Sequence, residues 1–292
     1  MGPESQFVRR APPLSEQIKA HPIPHSDKTL QNGLDDMETW MREAEDEGKI
    51  SVIKEHAYHT MFANTVNAHL EVPRKDLPIP KMVDRFLDVA EDKRPSSQAE
   101  AEALPSLPIP NPTFIPDRLF VALRPVLIIR HPAKAIPSFL RASADLGVTI
   151  FGENSEATTQ FKWLRMVYDC YKALYDSQGS NSVFPVVIDG DKLINETEDQ
   201  MSKLCNIIGV DASQIRYSWN AVEKFDNKLE ENFTGTIGRS TGVIRQKDYR
   251  PPVLEEESVK WAGEWDEKTA EKMKYFAEKA MEDYQYLLDR SI

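Results

Sequence analysis

The sequence predicts an α/β protein in which a parallel β-sheet is flanked by helices. Three observations predict it. Short runs rich in Val and Ile, namely ISVIK at 50–54, VLIIR at 126–130 and VFPVVI at 183–188, read as buried strands. Longer stretches between and after them carry apolar residues at helical spacing. Strands that alternate with helices connect by right-handed crossovers, which makes the strands parallel and puts helices on both faces.

Each element follows from its own pattern. The first thirty residues, with Pro12, Pro13, Pro22 and Pro24, read as an irregular arm, and the arm is assigned to 1–33. Leu34, Met37, Trp40, Met41 and Ala44 then recur at helical spacing and predict a helix that stops near Gly48. The strand 50–54 follows. Between Pro73 and Pro116 nine prolines interrupt the chain, and RPSSQAEAEALPSLP reads as a solvated loop, with room for a short helix at 82–90. This stretch, about 73–116, is expected to be an insertion or lid within one α/β domain at 34–292. After the strand 126–130, Phe161, Leu164, Val167, Tyr168, Tyr171, Leu174 and Tyr175 mark a helix. The strand 183–188 closes at the turn-like Asp189-Gly190-Asp191. Met201, Leu204, Cys205 and Ile208 mark a further helix stopped by Gly209, and Met273 to Leu288 forms a long amphipathic stripe.

Composition excludes several classes. With 40% hydrophobic and 28% charged residues the chain is globular rather than disordered. A net charge of −11 without a basic stripe argues against nonspecific nucleic-acid binding. No run reaches the length of a membrane span, and the opening residues lack a signal-peptide core. Two cysteines, Cys170 and Cys205, both in helical apolar patterns, give no disulfide framework. A cytoplasmic protein is expected, and no His/Asp/Glu cluster has metal-ligand spacing.

Two segments carry candidate chemistry. Ligands of a parallel α/β sheet collect at the carboxyl ends of its strands, where Arg130 ends VLIIR. Pro132 suits the first turn of the next helix, and Ser138 lies in that helix. An Arg fork, a hydroxyl and free helix-start N–H groups together make a phosphate site. The same residues would serve equally as a strand cap and a Ser bonded to its own helix. In the second segment, SVIKEHAYH at 51–59, a strand ends with Lys54, His56 and His59 close together, a base and a cation suited to proton transfer and charge neutralisation. Two surface histidines after a strand is the alternative. A third stretch, FTGTIGRSTGVIR at 233–245, is Gly-rich, contains Arg239 and Gly242, and reads as a loop that would equally be a plain flexible one.

The segment VLIIRHPAKAIPS resembles the 3′-phosphate-binding element of sulfotransferases that use 3′-phosphoadenosine 5′-phosphosulfate (PAPS), where a strand-end Arg is followed eight positions later by a helical Ser. VFPVVIDGDKLINETEDQMSKLCNIIGVD resembles the next strand, acidic turn and helix of that family, and IKEH is similar to its Ile-Lys-Thr-His. The resemblance covers 50 to about 242 and is nearest to divergent fungal and bacterial sulfotransferase-like proteins. It implies a P-loop-NTPase-like fold and PAPS as co-substrate, with no metal. Arg130 and Ser138 would hold the 3′-phosphate, with Arg239 and Gly242 in place of the family's Arg-Lys-Gly loop. His56 would be the base and Lys54 its electrostatic partner, with His59 the alternative base. The implied acceptor is a hydroxyl on a small molecule such as a secondary metabolite, rather than a nucleic acid or a membrane. The chain departs from the family at the phosphosulfate loop, since no Pro-Lys-Ser-Gly-Thr-Thr string occurs. That departure predicts a fold without its first strand and loop, through truncation or divergence. It also keeps two other readings open, an enzyme of another class that reuses the pocket without PAPS and a noncatalytic binding protein.

Overall fold

The computed structural model describes residues 10–11, 29–73, 82, 107–179, 182–245 and 249–292. The chain divides into two compact units, 1–123 and 124–292.

In the first unit β1 (Arg10–Ala11) pairs in parallel with β2 (Val52–Ile53). Between them runs α1 (Leu30–Asp46), four residues longer at its start than its apolar stripe predicts. Thr29 explains the extension: its hydroxyl accepts from Asn32 N, and its own N–H donates to Asn32 Oδ1, a reciprocal cap. Leu34 and Met37 of α1 pack on Leu119, with Ile53, Met82 and Ile115 around them. The chain continues through α2 (Ala57–Thr60), α3 (Ala63–Asn67) and α4 (Asp117–Ala122). Buried Glu38 is compensated by Arg118 at 2.8 Å. Of the proline-rich stretch, 107–116 forms turns braced by the Asn111 side chain, which accepts from Thr113 N and donates to Ile115 O. The helix predicted at 82–90 lies outside the described residues, apart from Met82.

The second unit is built on β3 (Val126–Ile129), α5 (Pro132–Ser143), α6 (Ser155–Thr159), α7 (Lys162–Ser177), β4 (Val186–Asp189), α8 (Gly190–Asn195), α9 (Thr197–Ile208), α10 (Lys228–Gly238), α11 (Leu254–Glu264) and α12 (Glu267–Leu288). β3 and β4 pair in parallel, with Val126 opposite Val186 and Ile129 opposite Asp189. The predicted parallel pairing and the helices α7, α9 and α12 are all present. Gly209, at φ +75°, supplies the left-handed conformation that ends α9. α12 is the central packing element. Its Met273, Phe276 and Ala277 join Ile136 and Leu140 of α5 and Trp261 of α11. Its Ala280, Tyr284 and Leu287 join Leu127 and Ile129 of β3, Val187 of β4 and Tyr168 of α7.

Three expectations are corrected. β3 is not buried on both faces: Leu127 and Ile129 are buried, whereas Val126 and Ile128 face solvent, Ile128 at 56% exposure. β4, by contrast, is buried throughout: α8 and α9 cover Val186 and Ile188, α12 covers Val187, and residues 291–292 run along its free edge, Ile292 N donating to Val187 O. The strand expected from Val183 begins at Val186 and extends through Asp189. The Gly-rich stretch from Phe233 is helical as far as Gly238, since it continues α10 from the Asn227 cap. Among the described residues no helix is long and apolar enough to cross a membrane.

Candidate functional site

β3 ends at Ile129, so Arg130 is the first side chain beyond the sheet, and α5 opens on Pro132, whose missing N–H costs nothing there. The His131 ring takes a share of the helix start, Nδ1 accepting from Ala133 N at 3.1 Å. Burial holds His131 below the ordinary imidazole range, with Asp191 opposing the shift. On the neighbouring strand Asp189 caps α8, its carboxylate accepting from Asp191 N. Burial pushes the Asp189 carboxyl up. Gly190 lies between them so close to β3 that an added Cβ would stand 2.9 Å from Ile129 O.

This tight junction brings Asp191 under Arg130. Asp191 is 2% exposed; its Oδ1 accepts from Lys134 Nζ at 3.2 Å and lies 3.9 Å from Arg130 Nε, while Oδ2 accepts from the Tyr249 hydroxyl at 3.3 Å. The Lys134 ammonium also lies over the Tyr249 ring, 4.3 Å from its centroid. Burial and then the charge of Asp191 push the Tyr249 hydroxyl up to about 12, so it stays a donor. Arg130 Nε is buried and has no hydrogen-bond partner, although the side chain as a whole is 39% exposed. Ser138, one turn beyond Lys134 on the same helix face, is exposed. Arg130 thus follows the carboxyl end of β3, and Ser138 lies in the next helix, α5.

Arg239 and Gly242 lie just beyond the end of α10. Arg239 follows α10, pairs with Glu231 and lies over the Phe225 ring at 5.0 Å. It borders a shallow depression of about 370 Å³ that also includes Lys228. Gly242 is held in an antiparallel bridge with Ser218. No hydrogen bond or ion pair joins either residue to Arg130, Lys134 or Ser138 among the described residues. Sequence reasoning passed over Asp191, Lys134 and Tyr249. Lys134, four residues after Arg130 and four before Ser138, carried a usable signal; Tyr249 carried none.

In the first unit the three candidates do converge. Lys54 follows β2, and its ammonium donates to His56 Nε2 at 2.7 Å. His56 precedes α2 and His59 lies within it, their rings nearly perpendicular and 5.5 Å apart. Glu55 Oε1 accepts from His56 N at 2.7 Å and lies 3.4 Å from His59 Nδ1. An ammonium can only donate, so His56 Nε2 is the acceptor of that bond, and Glu55 Oε1 is placed to accept from His59 Nδ1. All three candidate side chains are solvent-accessible.

Two curated fungal proteins are similar to this chain. "Sulfotransferase ppzF" of Metarhizium majus (strain ARSEF 297) is 26% identical over 280 residues, covering 91% of this chain and 76% of that protein. "Sulfotransferase ppzF" of Metarhizium rileyi (strain RCEF 4871) is 27% identical over 197 residues, covering 62% of this chain and 56% of that protein. These similarities support a sulfotransferase family. No family model matches the chain, and no solved structure does.

The residues at the β3–α5 junction fit a terminal phosphate. A buried guanidinium nitrogen lacks an acceptor, and an exposed hydroxyl lies on the following helix. Among the described residues no group of three His, Cys, Asp or Glu side chains is arranged to hold a metal.

Proposed function

We propose that this protein transfers a sulfuryl group from PAPS to a hydroxyl of a small molecule. The observation that carries the reading is Arg130, whose buried Nε has no partner at the carboxyl end of β3, with Ser138 in the helix that follows. The similarity to proteins named sulfotransferase supports it independently. PAPS supplies the sulfuryl group, and adenosine 3′,5′-bisphosphate is the leaving product. Arg130 and Ser138 hold the 3′-phosphate. His56 Nε2 takes the proton from the acceptor hydroxyl, and Lys54, bonded to that nitrogen, turns to the negative charge that develops. His59 is the second candidate base, because Glu55 beside Nδ1 favours the tautomer with its basic lone pair on Nε2. In this reading the acceptor is a hydroxylated secondary metabolite encountered in the cytoplasm.

Two measurements test the reading. Calorimetry should show adenosine 3′,5′-bisphosphate binding to the protein, with a loss of tenfold or more on Arg130→Ala, the size expected for a lost charge-assisted pair. Transfer from labelled PAPS to a panel of hydroxyl acceptors should be abolished by His56→Ala while bisphosphate binding is retained. Loss of turnover on His59→Ala alone would move the base to His59. Turnover that needs no PAPS, or unaltered binding in Arg130→Ala, would overturn the proposal in favour of another enzyme class or a binding protein.

A further inference from the structure

We infer that Lys134 is a third ligand of the phosphate held by Arg130 and Ser138, and that it makes the site selective for a terminal phosphate on the ribose. This rests on the reading above, in which that site takes adenosine 3′,5′-bisphosphate. Lys134 lies one helical turn before Ser138 on the same face of α5, so its ammonium and the Ser138 hydroxyl border the same space. Its Nζ and Arg130 Nε approach a single oxygen, Asp191 Oδ1, at 3.2 and 3.9 Å.

At 3.9 Å the second of these is an ion pair without a hydrogen bond. The two carboxylate oxygens already accept from Lys134 and Tyr249, and Arg130 Nε is left without an acceptor. Two cations therefore converge on a cluster that is one acceptor short. An incoming phosphate oxygen supplies that acceptor to Arg130 and comes within reach of the Lys134 ammonium, a compact charge suited to phosphate. Asp191 and Tyr249 act as positioning residues: Asp191 Oδ1 accepts from the ammonium, and Tyr249, donating to Oδ2, lies beneath it with its ring face.

The test compares adenosine 3′,5′-bisphosphate with adenosine 5′-monophosphate, which lacks the 3′-phosphate. Lys134→Gln alone would leave a buried carboxylate uncompensated, so it is paired with Asp191→Asn, which removes both charges together and keeps net charge constant. The double variant should lose about tenfold in affinity for the bisphosphate. Its affinity for the monophosphate should stay within about twofold of the parent. Equal losses for both nucleotides, or no loss for either, would overturn the inference, while the parent protein's preference for the bisphosphate and the effect of Arg130→Ala would leave the functional reading standing. A parent protein that does not prefer the bisphosphate removes both.

Discussion

His131 is held half-buried against Tyr284, ring centroids 5.2 Å apart, with Nδ1 accepting from its own helix start. Because burial lowers its pKa, the unfolded chain takes up the imidazole proton at a higher pH than the folded one. Within the window below the ordinary imidazole value the unfolded state binds more protons, and stability falls as pH falls. Above that value the group contributes no pH dependence. Thermal melts between about pH 7 and pH 5 should therefore fall more steeply for the parent than for His131→Asn, whose side chain can still cap Ala133 N. Parallel slopes would exclude His131 as the cause. At this scale Arg130 and Ser138 were legible because their eight-residue separation spans one strand end and two helical turns. Tyr249 was not, because it reaches Asp191 across 58 residues and nothing near it in the chain marks the contact.

At the scale of elements, the helices were legible wherever one face is apolar over several turns, as in α7, α9 and α12. Glycine was one source of error. Gly238 belongs to α10 and faces the Phe225 ring, where an added Cβ would stand 2.8 Å from the ring carbons. Close packing of a helix, rather than loop flexibility, accounts for it there. Gly190 has the same kind of role at the junction of β4 and α8. A Cβ at that position meets the backbone carbonyl of Ile129, which has no rotamer with which to retreat. Gly190→Ala should cost about 1–3 kcal/mol in denaturant unfolding and spread β3 from β4. Since that junction sets Asp191 beneath Arg130, bisphosphate affinity should fall as well. A variant of parental stability would show that the junction can relax.

For the molecule as a whole, a net charge of −11 coexists with a local convergence of Arg130 and Lys134 on one carboxylate, so an acidic protein can still present an anion site. A ligand bound only by the folded second unit stabilises it by mass action, about 2.7 kcal/mol at a hundred times its dissociation constant. Adenosine 3′,5′-bisphosphate should accordingly raise the melting temperature in proportion to the logarithm of its concentration. The shift at a given concentration should shrink in Arg130→Ala as its weaker binding requires, and a shift unchanged by that substitution would place the nucleotide elsewhere.

By itself the sequence determined the α/β class, the parallel strand pair, the main helices and the Arg130–Ser138 spacing. All of these depend on periodicity or on residues within a few turns of one another. Only the tertiary structure decided that β3 keeps Val126 and Ile128 open to solvent, that Arg239 pairs with Glu231, and that Asp191, Lys134 and Tyr249 meet. The physical reason is register: Ile129 opposite Asp189, with only glycine at 190, brings together charges that lie 57 and 58 residues apart in the chain.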